Sequence, residues 1–449
     1  MTKPGRSRNV NLHPARLVPL SFLAFIAIGT LALSIPAAHR PGNVDVMAAA
    51  FTTVSATCVT GLTTVDTATY WTPLGQAIIL AEIQVGGFGI MTFATLLGLL
   101  VRGRLGLSGR LLAQSETKTL KMGEVTAVLK RIFLAVVVTE TAVAMLLTLR
   151  FLTTYDDGNL RTAIWHGVFY SVSAFNNAGF ALASDNLVGF VADAWICWPI
   201  CAAIIAGGIG FPVVFELVRA ARRPSAWSVH TRITVYGYTA LLVTGIALFM
   251  LLEWTNPGTL GPLSAWDKTV AGVTQGVTPR TAGFNSIDYG AIRPETLLIT
   301  MVLMFVGGGS AGTAGGIKVT TFFLLGHVIL TEVMGEQEVR VGNRRISSET
   351  VRVALTVALL GVMLVTFGTI GMVMLTDVPL DKAMFEVVSA FGTVGLSTGI
   401  TPELSVPAQL LLMLVMFCGR VGTITVASAL VLHSRKRKYH LPQEHPIVG

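Results

Sequence analysis

A short polar stretch recurs within an otherwise apolar chain. Residues 51–62 read FTTVSATCVTGL, residues 169–180 read FYSVSAFNNAGF and residues 385–396 read FEVVSAFGTVGL. Each begins with Phe-x-x-Val-Ser-Ala and ends with Gly and a large apolar residue. A weaker copy, VTQGVTPRTAGF, occupies residues 273–284, where Val273 replaces the initial Phe. The repetition predicts one chemical task shared by four equivalent turns.

The four turns share their final glycine but not their side chains. Coordination by side chains would require matching ligands, so a common function must use the backbone carbonyls. Glycine permits the positive φ that lets carbonyls point inward, and each preceding short helix directs its partly negative end at the same place. Rings of carbonyls replace the hydration shell of a cation in potassium filters. The candidate filter residues are Cys58, Val59, Thr60, Gly61, Asn176, Asn177, Ala178, Gly179, Arg280, Thr281, Ala282, Gly283, Gly392, Thr393, Val394 and Gly395. The alternative, glycines that only end the helices as caps, stays open.

The composition of the chain indicates a membrane protein. Of its 449 residues, 52% are hydrophobic and only 12% are charged, whereas soluble domains carry about 25% charged residues. Residues 17–35 and 353–375 contain no charge, and each run can cross a hydrocarbon core of roughly 30 Å as a helix. A cleaved signal peptide is the alternative for the first run, but the first repeat needs this helix. We therefore expect an all-α polytopic membrane protein.

Each repeat reads as a helix, a short helix, the glycine turn and a second helix. The predicted short helices cover about 45–57, 164–175, 266–277 and 381–391, and the predicted second helices cover 75–100, 194–218, 296–328 and 407–433. The four glycines lie roughly 110 residues apart, which is too long for a solenoid and suits four units around an axis. The short helices hold about a dozen residues, too few to cross a bilayer, and the backbone after them must line a cavity or lie within protein. The predicted architecture is eight transmembrane helices plus four re-entrant helices around one central pore.

Charge predicts how the repeats are oriented. The net charge of +8 comes largely from the termini and the connections between repeats, and an excess of Lys and Arg marks the cytoplasmic side of a membrane protein. Both termini are therefore predicted inside, and the glycine turns open from outside. The predicted segments are a cytoplasmic N-terminus (1–16), repeat 1 (17–100), a cytoplasmic connection (101–132), repeat 2 (133–218), repeat 3 (233–328), repeat 4 (353–433) and a basic cytoplasmic C-terminus (434–449).

Glycine clusters lie midway along the second helices. The third is extreme, because residues 307–318 read GGGSAGTAGGIK and each glycine costs a helix roughly 1 kcal/mol relative to alanine. We predict a broken helix here with a mobile loop below the filter. Close packing of small residues is the alternative for this copy and the favoured interpretation of the clusters at 86–89, 207–210 and 419–422. The candidate gate residues of this loop are Gly307, Gly308, Gly309, Ser310, Ala311, Gly312, Thr313, Ala314, Gly315 and Gly316.

Arg420 is the charge placed most deeply in the chain. It lies within the apolar run 410–432, and an arginine at membrane depth almost always faces a cavity or a partner. Facing a cation pathway it would repel permeating ions, so Arg420 joins the predicted gate. A structural ion pair with Glu82 or Glu140 is the alternative, and functional roles for Glu140 and Lys318 stay open.

The motifs resemble those of a known transporter superfamily. The stretches VTGL, NNAGF, RTAGF and TVGLS, with QVGGFGIMTF at 84–93 and GGGSAGTAGGIKVTTFF at 307–323, resemble the Ktr/Trk/HKT superfamily of potassium transporters, and most closely its Ktr pore-forming membrane subunits (KtrB-like). The resemblance covers nearly the whole chain and places Arg420 beside the broken-helix loop. It implies K+ uptake through a carbonyl filter, with Gly61 favouring potassium over sodium.

The same resemblance implies partners and a location. These are a homodimer with one pathway per chain and a separate cytoplasmic RCK-type nucleotide-binding ring (KtrA/KtrC-like). ATP or ADP is expected on that ring, and no cofactor on this chain. The implied location is the bacterial plasma (inner) membrane. The identity of the regulatory partner, sodium coupling, the dimer interface and channel-like against transporter-like flux stay open.

Other classes fit the sequence less well. A secondary transporter of another cation or solute, including a sodium-selective member of the same superfamily, is the alternative function, but such carriers commonly use inverted repeats, whereas these four repeats share one orientation. The chain contains no HExxH motif, Ser/His/Asp constellation or paired intramembrane acids, so it is not expected to be an enzyme. The basic charge predicts topology, not nucleic-acid binding.

Overall fold

The structure is a computed structural model that describes residues 14–40, 45–89, 125–336, 338–342 and 344–422. Both predicted cytoplasmic termini lie outside the described residues, apart from the last three residues of 1–16, and so does most of the connection 101–132. The described chain is mostly helical, with one small antiparallel hairpin of β1 (Arg340–Val341) and β2 (Arg344–Arg345).

Fifteen α-helices follow one another along the described residues. They are α1 (Pro14–Leu33), α2 (Val46–Cys58), α3 (Thr67–Tyr70), α4 (Pro73–Phe88), α5 (Val125–Thr154), α6 (Leu160–Phe175), α7 (Ala194–Gly208), α8 (Phe211–Ala220), α9 (Val229–Glu253), α10 (Ala265–Val277), α11 (Pro294–Phe305), α12 (Val319–Val333), α13 (Ser348–Leu375), α14 (Leu380–Gly392) and α15 (Val406–Phe417). A π-helical turn, Cys418–Gly422, follows α15.

Polar caps set where the short helices begin. The side chains of Asp45, Asn159 and Ser264 each accept a hydrogen bond from a backbone N–H in the first turn of α2, α6 and α10 respectively. Such caps stabilise a helix by about 1 kcal/mol because the first N–H groups have no partner inside the helix. The fourth short helix, α14, begins instead after Pro379. Local sequence thus starts each short helix near its predicted position.

The four repeats close on one another by helix packing. Helix α4 contacts α6, α7 contacts α10, α11 contacts α14, and α15 returns to contact α2. Each helix that follows a glycine turn therefore packs against the short helix of the next repeat, and the last one packs against the first. This cyclic order brings the four turns to one place.

The helices that follow the turns are interrupted. In the third repeat the helix is broken between α11 and α12, where glycine density predicts a break. In the second repeat a single helix over 194–218 is wrong, because α7 and α8 meet at a bend of 98°. Gly210 has a φ of 94° there, and Pro212 lies in the first turn of α8. Residues 90–100 and 423–433 of the other predicted helices lie outside the described residues.

The breaks limit how many helices can be counted as single membrane spans. Within the described residues, three helical segments are long and apolar enough to cross a membrane, namely Ala127–Thr154, Val229–Glu253 and Ser348–Leu375, and the bent pair α7–α8 would make a fourth. The remaining apolar helices are shorter. The fold is therefore that of an all-α protein with several apolar helices of membrane-spanning length.

Candidate functional site

The four repeated glycines form a closed ring. A Cβ placed on Gly61 would overlap the carbonyl oxygen of Ala178, the residue that precedes Gly179. A Cβ on Gly179 would lie 2.9 Å from the oxygen of Ala282, before Gly283. In the same way, a Cβ on Gly283 would overlap the carbonyl oxygen of Val394, and a Cβ on Gly395 would overlap that of Thr60, so that the fourth repeat returns to the first. Only glycine fits at these four positions, because the next repeat's backbone occupies the space of a side chain.

Backbone conformation alternates along each turn. The ring glycines have φ values of 96°, 71°, 70° and 93° in chain order. The residue two positions earlier is also left-handed in every repeat, with φ of 58° at Val59, 60° at Asn177, 69° at Thr281 and 49° at Thr393. Non-glycine residues adopt this region at a cost, and such strained residues cluster at functional sites. Four matched pairs of left-handed residues show that the turns share one backbone shape despite their different side chains.

The serine of the repeated motif holds the turn in place. In the first and fourth repeats, Ser55 and Ser389 accept hydrogen bonds from the N–H of Gly61 and Gly395, each at 3.0 Å. In the second repeat, Ser173 instead donates to the carbonyl of Phe180 at 2.8 Å. The motif Phe-x-x-Val-Ser-Ala was visible in the sequence, but the contact of its serine with the turn was not.

The third repeat supports its turn differently. Val277 stands where the other repeats have this serine, and it offers no hydroxyl. A separate network lies nearby, in which Gln275 donates to Ser286 at 3.0 Å and accepts from Tyr289 at 2.8 Å. The weaker sequence match of this repeat therefore reflects a different set of supporting contacts around the same backbone shape.

A polar network lies behind the second turn. The side-chain amide of Asn176 donates to Gln84 at 2.8 Å and to Glu140 at 3.2 Å, and Gln84 donates to the other oxygen of Glu140 at 3.3 Å. Glu140 thus contacts two amides near the turn. Glu82, the other acid considered as a partner for Arg420, accepts from Thr53 at 3.5 Å.

The broken segment 306–318 is held by main-chain hydrogen bonds. The two ends of the segment meet where Val306 pairs with Ile317, and we call this point the neck. There the N–H of Gly307 donates to the carbonyl of Ile317 at 2.8 Å. Its middle lies against the bend in the second repeat, where the N–H of Gly309 donates to the carbonyl of Gly208 at 2.8 Å and that of Thr313 donates to Gly207 at 3.1 Å. The segment therefore has a defined path that depends on the neighbouring repeat.

Arg420 joins this segment to the first repeat. Its side chain is 8% exposed and donates to the carbonyl of Thr313 and, at 2.7 Å, to the carbonyl of Gly86 near the end of α4. Lys318 donates to the carbonyl of Ala314 within the segment itself. Arg420 is thus in direct contact with the glycine-rich segment, beside which the family resemblance placed it.

The other glycine clusters allow close packing against the short helices. A Cβ on Gly86 would overlap the carbonyl of Thr57, one on Gly207 that of Phe175, and one on Gly419 that of Phe391. Each contact lies within two residues of the end of a short helix. Close approach of backbones therefore accounts for these glycines, while the second cluster also contains the bend at Gly210.

The chain is similar to known cation transport proteins. A family model described as TrkH, cation transport protein, matches residues 16–439. The chain is 38% identical over 417 residues to Ktr system potassium uptake protein B of Bacillus subtilis (strain 168), covering 93% of this chain and 92% of that protein. It is 32% identical over 456 residues to potassium/sodium uptake protein NtpJ of Enterococcus hirae, covering 100% and 99%.

A solved structure shares the fold. The crystal structure of the potassium transporter TrkH from Vibrio parahaemolyticus matches with a TM-score of 0.72 and 18% sequence identity, covering 96% of this chain and 87% of that one. The resemblance inferred from the motifs is confirmed by the family match and by the identity to the Bacillus subtilis protein. The chain belongs to the TrkH family of cation transport proteins, which is a family of membrane transporters and not of enzymes.

Proposed function

We propose that this chain is the pore-forming subunit of a potassium uptake system. The observation that carries the proposal is the closed ring of left-handed glycines, each packed against the backbone carbonyl of the next repeat. The relatives support the choice of ion, because two of them are named for potassium uptake.

The filter acts through the backbone of the four turns. Carbonyl oxygens replace the hydration shell of a potassium ion, as in other potassium filters. The turns differ in side chain but share backbone shape, as a carbonyl site requires. The short helices α2, α6, α10 and α14 end next to the turns, and their partly negative ends favour a cation there.

The proposed layout is eight transmembrane helices and four re-entrant helices around one pore. Both termini lie in the cytoplasm of a bacterial cell, the protein spans its plasma (inner) membrane, and the glycine ring faces outward. The distribution of Lys and Arg supports this orientation. Ions enter from the outside, pass the ring and then meet the segment 306–318.

That segment and Arg420 form the proposed gate. The segment links repeats 2, 3 and 4, and Arg420 ties it to the carbonyl of Gly86. A positive charge beside the path raises the energy of a dehydrated cation, and the effect is largest where water is excluded. Opening requires the segment to leave its contacts with Gly207, Gly208 and Arg420.

The proposed assembly is a homodimer with one pathway per chain, controlled by a separate cytoplasmic RCK-type ring that binds ATP or ADP. The resemblance of the motifs supports it, and the word "system" in the Bacillus subtilis relative's name fits a protein of several components. Potassium is the transported ion, and no cofactor is proposed on this chain.

Uptake by a bacterium that lacks its own potassium transport tests the proposal. The chain is produced alone and with a ring partner, and growth at low potassium and uptake of labelled rubidium are measured. Potassium-dependent growth that competing sodium does not reduce is the expected result. A correctly inserted chain that supports neither growth nor rubidium uptake under both conditions contradicts the proposal.

Sodium is the second candidate for the transported ion. The name of the Enterococcus hirae relative, potassium/sodium uptake protein, motivates it. Strong competition by sodium against rubidium uptake would favour this alternative, while stimulation of potassium uptake by sodium would indicate a sodium-dependent potassium system.

A further inference from the structure

Arg280 is a buried arginine at the third turn, three residues before Gly283. Its side chain is 0% exposed, and its Nη1 donates to the carbonyl of Val306 at 3.0 Å. Nε and Nη2 have no hydrogen-bond partner among the residues that the structure describes. The bond to Val306 is therefore the one hydrogen bond that the described structure gives this guanidinium.

The other repeats place small or uncharged side chains at this register. Cys58, Asn176 and Gly392 occupy it in the first, second and fourth repeats. Gly392 leaves no room for more, since a Cβ there would lie 2.6 Å from the carbonyl of Met304. A ring of equivalent backbones has no need for an arginine at one position, so this side chain has a task particular to the third repeat.

Val306 lies at the neck of the broken segment. Helix α11 ends at Phe305, and Val306 pairs with Ile317 where the segment leaves and rejoins the helical path. The N–H of Ile317 also donates to the carbonyl of Phe305 at 3.3 Å. A hydrogen bond to the carbonyl of Val306 is thus a hydrogen bond to the neck of the segment that forms the proposed gate.

Helix electrostatics explain how Arg280 can be buried here although no carboxylate pairs with it among the residues that the structure describes. The last carbonyls of a helix lack partners within it and carry partial negative charge. Arg280 donates just beyond the end of α11, and Arg420 donates to Gly86 near the end of α4. The two arginines hold the same segment at two points, Arg280 at its neck and Arg420 at Thr313.

The backbone of Arg280 belongs to the filter. Its carbonyl accepts from the side chain of Asn177 in the second repeat at 3.3 Å, and that amide also donates to Thr281 at 3.3 Å. A movement of Arg280 would therefore be transmitted to two adjacent turns. One residue contacts the filter through its main chain and the broken segment through its side chain.

We propose that Arg280 is a positioning residue that couples the filter to the broken segment through its bond to Val306. The inference rests on the proposed function, since it gives the ring and the segment their roles as filter and gate. When the neck moves, the bond to Val306 is lost and the third turn loses a support. Ion selectivity in this protein thereby depends on the conformation of the segment, and not on the ring alone.

The test compares Arg280→Met, Arg280→Lys and Tyr238→Phe in the full chain. Met keeps the length of the side chain but removes the donors and the charge, whereas Lys keeps one charged donor. Tyr238→Phe is the matched control, because this buried hydroxyl near Arg280 has no hydrogen-bond partner in the described structure. Rubidium uptake is measured with and without competing sodium, each value corrected for the amount of folded protein in the membrane.

Arg280→Met is expected to lower the preference for rubidium over sodium by about tenfold, the factor that the loss of one charge-assisted hydrogen bond represents. Arg280→Lys should restore a large part of the preference, and Tyr238→Phe should behave as wild type. Wild-type selectivity in Arg280→Met overturns the proposal while leaving the potassium pore intact. Failure of the wild-type chain to transport rubidium instead overturns the proposed function.

A double-mutant cycle separates coupling from direct repulsion of ions. Arg280→Met is combined with deletion of residues 311–314, and interacting sites give non-additive effects. If Arg280 acts through the segment, Arg280→Met changes the preference for rubidium over sodium only a little in the variant that lacks residues 311–314. Equal effects of Arg280→Met in both backgrounds overturn the coupling.

A second measurement covers the case in which Arg280→Met does not fold. Amide hydrogen exchange of segment 306–318 is compared between the wild type and Arg280→Lys, which keeps the charge. Faster exchange at the neck in Arg280→Lys supports the proposal, because the bond to Val306 is weakened. Identical exchange throughout the segment overturns it.

Discussion

Gly395 and Gly61 lie against each other, so that a Cβ on Gly395 would come 2.9 Å from the Cα of Gly61. These residues are the last and the first of the repeated glycines, so this contact closes the ring. The packing of α15 on α2 closes the surrounding helices in the same sense. The pore proposed here depends on this closure, because an open row of four turns would leave carbonyls without a shared centre.

Substitution of a ring glycine should impair selectivity. Gly61→Ser forces a side chain into the left-handed region at roughly 1–3 kcal/mol and towards the oxygen of Ala178. We expect the preference for potassium over sodium to fall at least severalfold, measured as sodium competition against rubidium uptake. Gly326→Ser on α12 is the control, because no atom lies within 4 Å of the Cβ position there. Unchanged selectivity in the serine variants of all four ring glycines would exclude a carbonyl filter.

Shortening the broken segment should open the pore. Deletion of residues 311–314 removes the main-chain contacts of Ala311 and Thr313 with the second repeat and the bond from Arg420. We expect rubidium uptake to rise and to depend less on any ring partner. Thr313→Val is the control, since it removes only the hydroxyl contact with Phe175. If the deletion variant takes up rubidium at the wild-type rate, this segment is not part of the gate.

Loss of the Arg420 charge should raise flux. Arg420→Ala removes a positive charge beside the proposed path and frees the segment from Gly86, with an expected electrostatic effect of several kcal/mol at low effective dielectric. Arg420→Lys should keep much of the barrier but lose the two-pronged contact. Arg345→Ala, an exposed residue paired with Glu338 at 2.8 Å, controls for a change in net charge. If folded Arg420→Ala conducts as the wild type does, Arg420 does not contribute to the barrier and the gate depends on segment 306–318 alone. If Arg420→Ala fails to insert, Arg420 has a structural role.

The serine of the repeated motif should stabilise the filter. Ser389→Ala leaves the partly buried N–H of Gly395 without its side-chain acceptor, which costs about 0.5–1.5 kcal/mol, the net contribution of a typical hydrogen bond. We expect a lower midpoint of thermal unfolding together with weaker selectivity. Thr52→Val on α2 is the control, because its buried hydroxyl has no hydrogen-bond partner in the described structure. An equal loss of stability in both variants would mean that the serine contact has no special role.

The loop that follows the first glycine turn should carry a pH-dependent contribution to stability. Burial raises the pKa of Asp66, but hydrogen bonds from Ser184 and Thr69 outweigh it and hold the pKa below its ordinary value. Because the pKa of Asp66 is lower in the folded than in the unfolded state, the ionised carboxylate stabilises the folded protein at pH values above the unfolded pKa of about 3.9. This contribution is lost as the pH falls through the folded pKa. Asp66→Asn should lower the midpoint of thermal unfolding at pH 7. On acidification, the midpoint of Asp66→Asn should fall less than that of the wild type. The exposed Asp381→Asn is the control, and an unchanged pH profile in Asp66→Asn would contradict the assignment.

The sequence by itself determined the repeated units and the helix break in the third repeat. Gly61 and its three counterparts could be recognised because the need for positive φ is local and leaves glycine in the sequence. The break over 306–318 followed from glycine density, since helix propensity is also a local property. Membrane character followed from composition and the length of the apolar runs.

Tertiary structure decided how these units meet. The order of the ring, in which Gly61 faces Ala178, depends on helix packing between repeats that no local pattern specifies. Arg420 and Arg280 donate to the main-chain carbonyls of Thr313 and Val306, and every residue has such a carbonyl, so the sequence could not select these two acceptors. The bend at Gly210 was missed for a related reason, because a glycine in an apolar run serves equally for close packing and for a turn, and only its neighbours decide which.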